Sequence, residues 1–125
     1  MIPFYAQQYD FSKYNVLAVD DIPLNLVLVQ KMLSRFNFKM RTAANGQLAL
    51  DAVAEKKPDL ILLDLMMPGI DGFEVIRRLK NNPDTADIRI VILSALNSNE
   101  DVVKGFNLGA DDFIMKPIIM EKLLS

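Results

Sequence analysis

The 125-residue chain has no cysteine and no histidine. Without cysteine there are no disulfides and no thiolate metal centres. Without histidine the chain cannot carry phosphohistidine, and neither a histidine-based triad nor a histidine zinc site can be built. A basic surplus is also missing: 14 Lys and Arg stand against 16 Asp and Glu, a net charge of −2. Nothing therefore marks the chain for direct nucleic-acid binding. No apolar run approaches the roughly 20 residues that span a bilayer. Residues 1–14 have neither the basic start nor the apolar run of a secretory signal. Internal repeats and low-complexity segments are absent too. A soluble cytoplasmic protein with no membrane contact is the expectation. What is present is enough apolar material for a core, 51% of residues against 24% charged, in a length that suits one domain.

Strand and helix candidates alternate from end to end. Strands are expected near 15–20, 38–43, 59–64, 88–94 and 110–115. Helices are expected near 23–36, 45–56, 71–81, 98–107 and from 118 onward. Such alternation argues for an α/β fold, a doubly wound five-stranded parallel sheet with helices on both faces. The runs at 16–19, 60–63 and 90–93 are continuously apolar, as strands buried on both faces should be. In Phe38-Lys39-Met40-Arg41-Thr42 charges alternate with bulkier residues, which suits an edge strand. That places strand two outside strand one and predicts the order 2-1-3-4-5. Pro23 suits the first turn of helix one, with Val27, Leu28, Met32 and Phe36 as its apolar stripe. Asn45-Gly46 reads as the turn into helix two, Asn82-Pro83 as the end of helix three, and Ser98 with Asp101 as a capping box for helix four.

Polar residues stand where the apolar runs end. Val16–Val19 stops at Asp20-Asp21, Leu60–Leu63 at Asp64, Ile90–Leu93 at Ser94, and Phe113–Met115 at Lys116-Pro117. In an open parallel sheet these ends share one edge, the edge where ligands sit. Asp20 and Asp21 alone would equally serve a turn and helix start. As a hard-cation site they offer the one or two carboxylates that magnesium takes alongside water and phosphate oxygens. Asp64 ends a buried strand well before the next helix, so its charge needs compensation. Crowded carboxylates repel, and Lys116 with a divalent cation would neutralise them. Ser94, otherwise an ordinary turn residue, can donate to a phosphoryl oxygen. Gly69 and Gly72 imply unusual backbone angles after Asp64, in a loop where the Met66 main chain is the best candidate for a carbonyl ligand. The thioethers of Met66 and Met67 are packing, since they do not suit magnesium.

The pieces VLAVDD (16–21), LILLDLMMPGIDGFEV (60–75), IVILSA (90–95), Gly109-Ala110-Asp111 and FIMKP (113–117), in this order, resemble the receiver domain of a two-component response regulator. The resemblance is to chemotaxis-regulator-like receivers and runs from about Val16 to the carboxyl end. It implies a flavodoxin-like fold and a phosphoacceptor signalling domain rather than a turnover enzyme, beyond its own phosphotransfer and self-dephosphorylation. By position, Asp64 resembles the phosphoacceptor, which also joins the metal site, Asp20 and Asp21 the metal-binding pair, and Met66 the carbonyl ligand. Ser94 resembles the switch hydroxyl, Lys116 the phosphoryl-pairing lysine and Phe113 the aromatic switch. The implied cofactor is Mg2+. The implied partners are a sensor histidine kinase or phosphotransfer protein and an output module or downstream protein, with phosphorylation-dependent homodimers also open. The Pro and Asn in Asp21-Ile22-Pro23-Leu24-Asn25 are similar to receivers of hybrid sensor kinases, and are not confined to them.

Two segments depart from the family pattern. Residues 1–14, which hold Tyr5, Tyr9 and Tyr14, form an extension expected to be flexible, outside a receiver domain over 15–125. The last helix, from Ile118 to Ser125, is shorter than in the family, and an output module beyond it is the expectation. Three rivals use similar chemistry. An aspartyl-nucleophile phosphatase would need an Asp-x-Asp pair, and Asp21 is followed by Ile22-Pro23. A flavin carrier would need a Ser/Thr/Gly-rich loop after strand one, which is absent. A docking module without phosphorylation would not need the full set of acids.

Overall fold

Five parallel strands are laid down by the apolar runs. The computed structural model describes residues 13–34, 37–94 and 99–115. The strands are β1 (Asn15–Val19), β2 (Lys39–Ala43), β3 (Leu60–Leu63), β4 (Arg89–Ser94) and β5 (Asp112–Met115), all paired in parallel in the order β2-β1-β3-β4-β5. Between them run α1 (Pro23–Ser34), α2 (Gly46–Glu55), α3 (Gly72–Lys80) and α4 (Asn99–Leu108). β1 and β3 are central and nearly all buried, whereas β2 is buried only at Ala43. Edge strand β2 is also tied to the helix beside it: Arg41 donates to the carbonyl of Ala52 (2.9 Å), which also accepts from the Lys56 N–H at 3.0 Å, and to the carbonyl of Lys56 just past the end of α2. The Phe36 and Ser98 expectations, the arm before residue 13 and the helix from 118 lie outside the described residues.

Alternation along each strand sorts the core into two layers. Leu17, Val19, Ile61, Leu63, Ile90 and Ile92 face α2 and α3, where Ala49, Val53, Val75, Ile76 and Leu79 meet them. Val16, Ala18, Leu62, Leu93 and Ile114 face the other way, toward Val29 and Leu33 of α1. Each such aliphatic side chain contributes about 1.5–3 kcal/mol on burial. This two-sided burial is why these strands read as continuous apolar runs.

Helix ends follow the expected signals. Pro23 is the first residue of α1. The Asn45 side chain accepts from the Leu48 N–H at 2.8 Å, and that of Asp71 accepts from the Glu74 N–H at 2.9 Å. The stripe expected on α1 is corrected. Val29 and Leu33 are its buried residues, with Leu26 partly buried, while Val27 and Leu28 are 44% and 49% exposed. The first eleven residues of α1 carry apolar side chains on nearly every side, so periodicity alone did not select a face.

Candidate functional site

The central ladder continues one rung beyond the strands. Val19 pairs with Leu63 in register, and the Asp64 N–H then donates to the Val19 carbonyl at 2.9 Å. On the other side of β1, the Asp20 N–H donates to the Ala43 carbonyl at 3.1 Å. These two bonds fix the backbone of Asp20 and Asp64 side by side at the carboxyl edge. Both side chains are only 6% exposed. One oxygen from each of Asp20, Asp21 and Asp64 lies within 4.8 Å of the others. Asp20 also performs the modest role open to it: its Oδ1 accepts from the Ile22 N–H at 2.9 Å and shapes the turn into α1.

This donor set is hard, anionic and convergent. Two unit charges 4.8 Å apart repel by about 3 kcal/mol at an effective dielectric of about 20. A divalent cation with oxygen preference fits that need better than a soft metal. Ser94 closes β4, the strand next to β3, and is fully buried. Phe113 pairs in register with Ile92 and packs, partly buried, on the α2–α3 layer. Met66 stands in the loop after Asp64 with its side chain 63% exposed, while Met67 is 7% exposed and belongs to the core. Lys116 lies outside the described residues.

The loop after Asp64 uses its two glycines differently. Gly69 has φ +78°, the left-handed conformation expected for it. Gly72 has no such angle, which corrects the expectation. A Cβ there would sit 2.5 Å from the Asp64 carbonyl oxygen and 2.8 Å from the Leu65 Cα. Its role is close approach: the start of α3 presses on the backbone that carries Asp64, and the Gly72 N–H donates to the Leu65 carbonyl at 3.1 Å. One residue beside the acids had not been counted with them. Asn25, in the first turn of α1, lines the same cavity as Asp20 and Asp64. The available signal was a single polar residue in an otherwise apolar helix start.

Residues 16–125 match the family model of the response regulator receiver domain. The chain belongs to that family. Among its relatives, response regulator PleD of Caulobacter vibrioides is 45% identical over 103 residues, which cover 82% of this chain and 23% of PleD. Two solved receiver structures agree in fold. The signal receiver domain of a signal transduction histidine kinase from Syntrophus aciditrophicus is 33% identical with a TM-score of 0.82, covering 89% of this chain and 84% of that one. The chemotaxis protein CheY4 of Vibrio cholerae is 31% identical with a TM-score of 0.83, covering 89% and 92%. The flavodoxin-like fold and the two-component family are thereby shown. The receiver spans about a quarter to just under half the length of the curated relatives it matches. No helix among the described residues is long and apolar enough to cross a membrane.

Proposed function

We propose that this receiver takes a phosphoryl group from a partner's phosphohistidine onto Asp64, and that the acyl phosphate switches a protein-interaction surface. The observation that carries the reading is the convergence of Asp20, Asp21 and Asp64 at the carboxyl edge of adjacent strands. A carboxylate oxygen of Asp64 attacks phosphorus in line; the new O–P bond forms as the N–P bond to the imidazole breaks. Catalysis of this kind is mostly positioning and electrostatics. Asp20 and Asp21, with the Met66 carbonyl, would hold Mg2+, which when bound supplies positive charge to the phosphoryl oxygens. Ser94 donates its hydroxyl to one phosphoryl oxygen, and Lys116 pairs with another.

The switch follows from those contacts. The new acceptor oxygens draw Ser94 toward the phosphate, and Phe113 turns into the space released. The surface around α4 and β5 repacks, and a downstream protein or attached output module reads it. The phosphoryl group shifts an existing two-state equilibrium by its differential contacts. The partner upstream is a sensor histidine kinase or a phosphotransfer protein. The deciding experiment is phosphoryl transfer from a labelled phosphohistidine donor in the presence of Mg2+. The wild type acquires acid-stable, base-labile label, and Asp64→Asn acquires none while circular dichroism stays unchanged. Label retained in Asp64→Asn, or none in the wild type, would overturn the assignment.

A further inference from the structure

A small cavity of about 10 Å3 lies on the α1 side of the acids, about the least room that holds one water. Three of its lining residues are polar: Asp20, Asp64 and Asn25. The rest of the wall is apolar, with Leu26, Val29 and Leu62 closing it toward the core. The position of Asn25 is fixed from below, because its backbone N–H donates to the Ile22 carbonyl at 3.0 Å in the turn that Asp20 shapes. Water held between a carboxamide and two carboxylates has the two to four polar partners that such sites need.

From this arrangement we infer that Asn25 is a positioning residue for the acidic pocket. Its amide N–H donates, through one bridging water, to the carboxylates of Asp20 and Asp64. That fixes their orientation from the side closed by α1 and leaves their other oxygens to the open rim. The carboxamide is suited to this because it donates without adding a fourth negative charge. The inference rests on reading the pocket as a cation-binding phosphoacceptor site. It adds a residue that acts through the acids rather than on the phosphoryl group.

Asn25→Leu tests it, since leucine nearly matches asparagine in shape and is the better helix former. A merely structural Asn25 would lose nothing on that change, and thermal stability would hold or rise. The positioning role instead predicts Mg2+ binding weakened by about tenfold, the worth of one hydrogen bond to a charged group. Titration of the unphosphorylated protein with Mg2+ alone, followed by amide chemical shifts, gives that constant. The rate of labelling by acetyl phosphate falls in parallel, and Asn25→Ser, with a hydroxyl and room for a second water, recovers most of both. Unchanged Mg2+ affinity in Asn25→Leu overturns the inference. So does an affinity loss that tracks a fall in melting temperature, or a serine variant no better than leucine. If the wild type binds Mg2+ but takes no label, the phosphoacceptor reading fails while the Mg2+ titrations still decide the role of Asn25.

Discussion

Aspartates occupy both edges of this sheet, and they do opposite things there. At the amino edge two of the acids complete a neighbour's ladder. Asp59 accepts from the Asn15 N–H at 2.8 Å while its own N–H donates to the Asn15 carbonyl at 2.9 Å. Asp111 accepts from the Ile90 N–H at 2.8 Å and returns its N–H to the Ile90 carbonyl at 2.8 Å. Lys80 stands 4.0 Å from Asp111 and donates to the carbonyls of Ala86 (2.9 Å) and Ile88 (2.7 Å). Charge at that edge is compensated: Asp59 and Asp111 each have a backbone partner, and Asp87 is paired with Lys57 at 2.6 Å. At the carboxyl edge three acids are gathered within 4.8 Å. The same residue type therefore closes ladders and ion pairs where it is spread, and under the proposed function serves chemistry where it is crowded.

Gly72→Ala should break the carboxyl edge most severely. The added methyl meets backbone rather than a flexible side chain, so overpacking of about 2–3 kcal/mol is expected. Urea unfolding should show it as a lowered midpoint, together with slower labelling of Asp64. At the amino edge, Asp111→Ala leaves the Ile90 N–H without its acceptor and Lys80 without its acid. The expected cost is about 1–2 kcal/mol, with no change in Mg2+ affinity.

Asp20→Asn should have the opposite sign. Relief of like-charge crowding stabilises the cation-free protein by about 1 kcal/mol. Mg2+ should raise the melting temperature of the wild type, and that rise should disappear in this variant. If Asp20→Asn destabilises and Asp111→Ala does not, the contrast between the two edges is wrong.

The smallest effect is expected at Glu74, in the first turn of α3 but outside the acidic cluster. The hydrogen bond from Arg77, helped by Arg78, holds this exposed carboxyl at about 2 against an ordinary 4.5. Because the folded value is the depressed one, the pair's contribution is present above about pH 4.5 and is lost as pH falls toward 2. Arg77→Gln should move the Glu74 titration upward in a carboxyl chemical-shift experiment and leave phosphoryl uptake unaltered.

Much of this was legible before any coordinates, and for a physical reason. Strands buried on both faces must be apolar throughout, so β1, β3 and β4 announced themselves, and the first charged residue after β1 and after β3 marked the rim. The alternating charges of β2 likewise betrayed an edge. What stayed hidden depended on packing rather than pattern. α1 has more apolar residues than it buries, and only contact with Val16, Ala18 and Leu62 decides that Val29 and Leu33 go inward. The sequence marks Gly72 as special, yet its reason is that a Cβ there would lie 2.5 Å from the Asp64 carbonyl oxygen, a clash between elements that no local rule encodes. Asn25 stood out as a motif residue, but its line to the acids runs through a cavity between elements.

The bond from the Asp64 amide to the Val19 carbonyl has a kinetic meaning as well. It is a contact between residues distant in sequence, and contacts of that kind are slow to form during folding. Until β3 docks on β1 there is no acidic cluster, and the moment of docking is the moment at which like charges are forced together. The cluster thus opposes the step that creates it. Refolding of this domain should quicken when Mg2+ is present from the start.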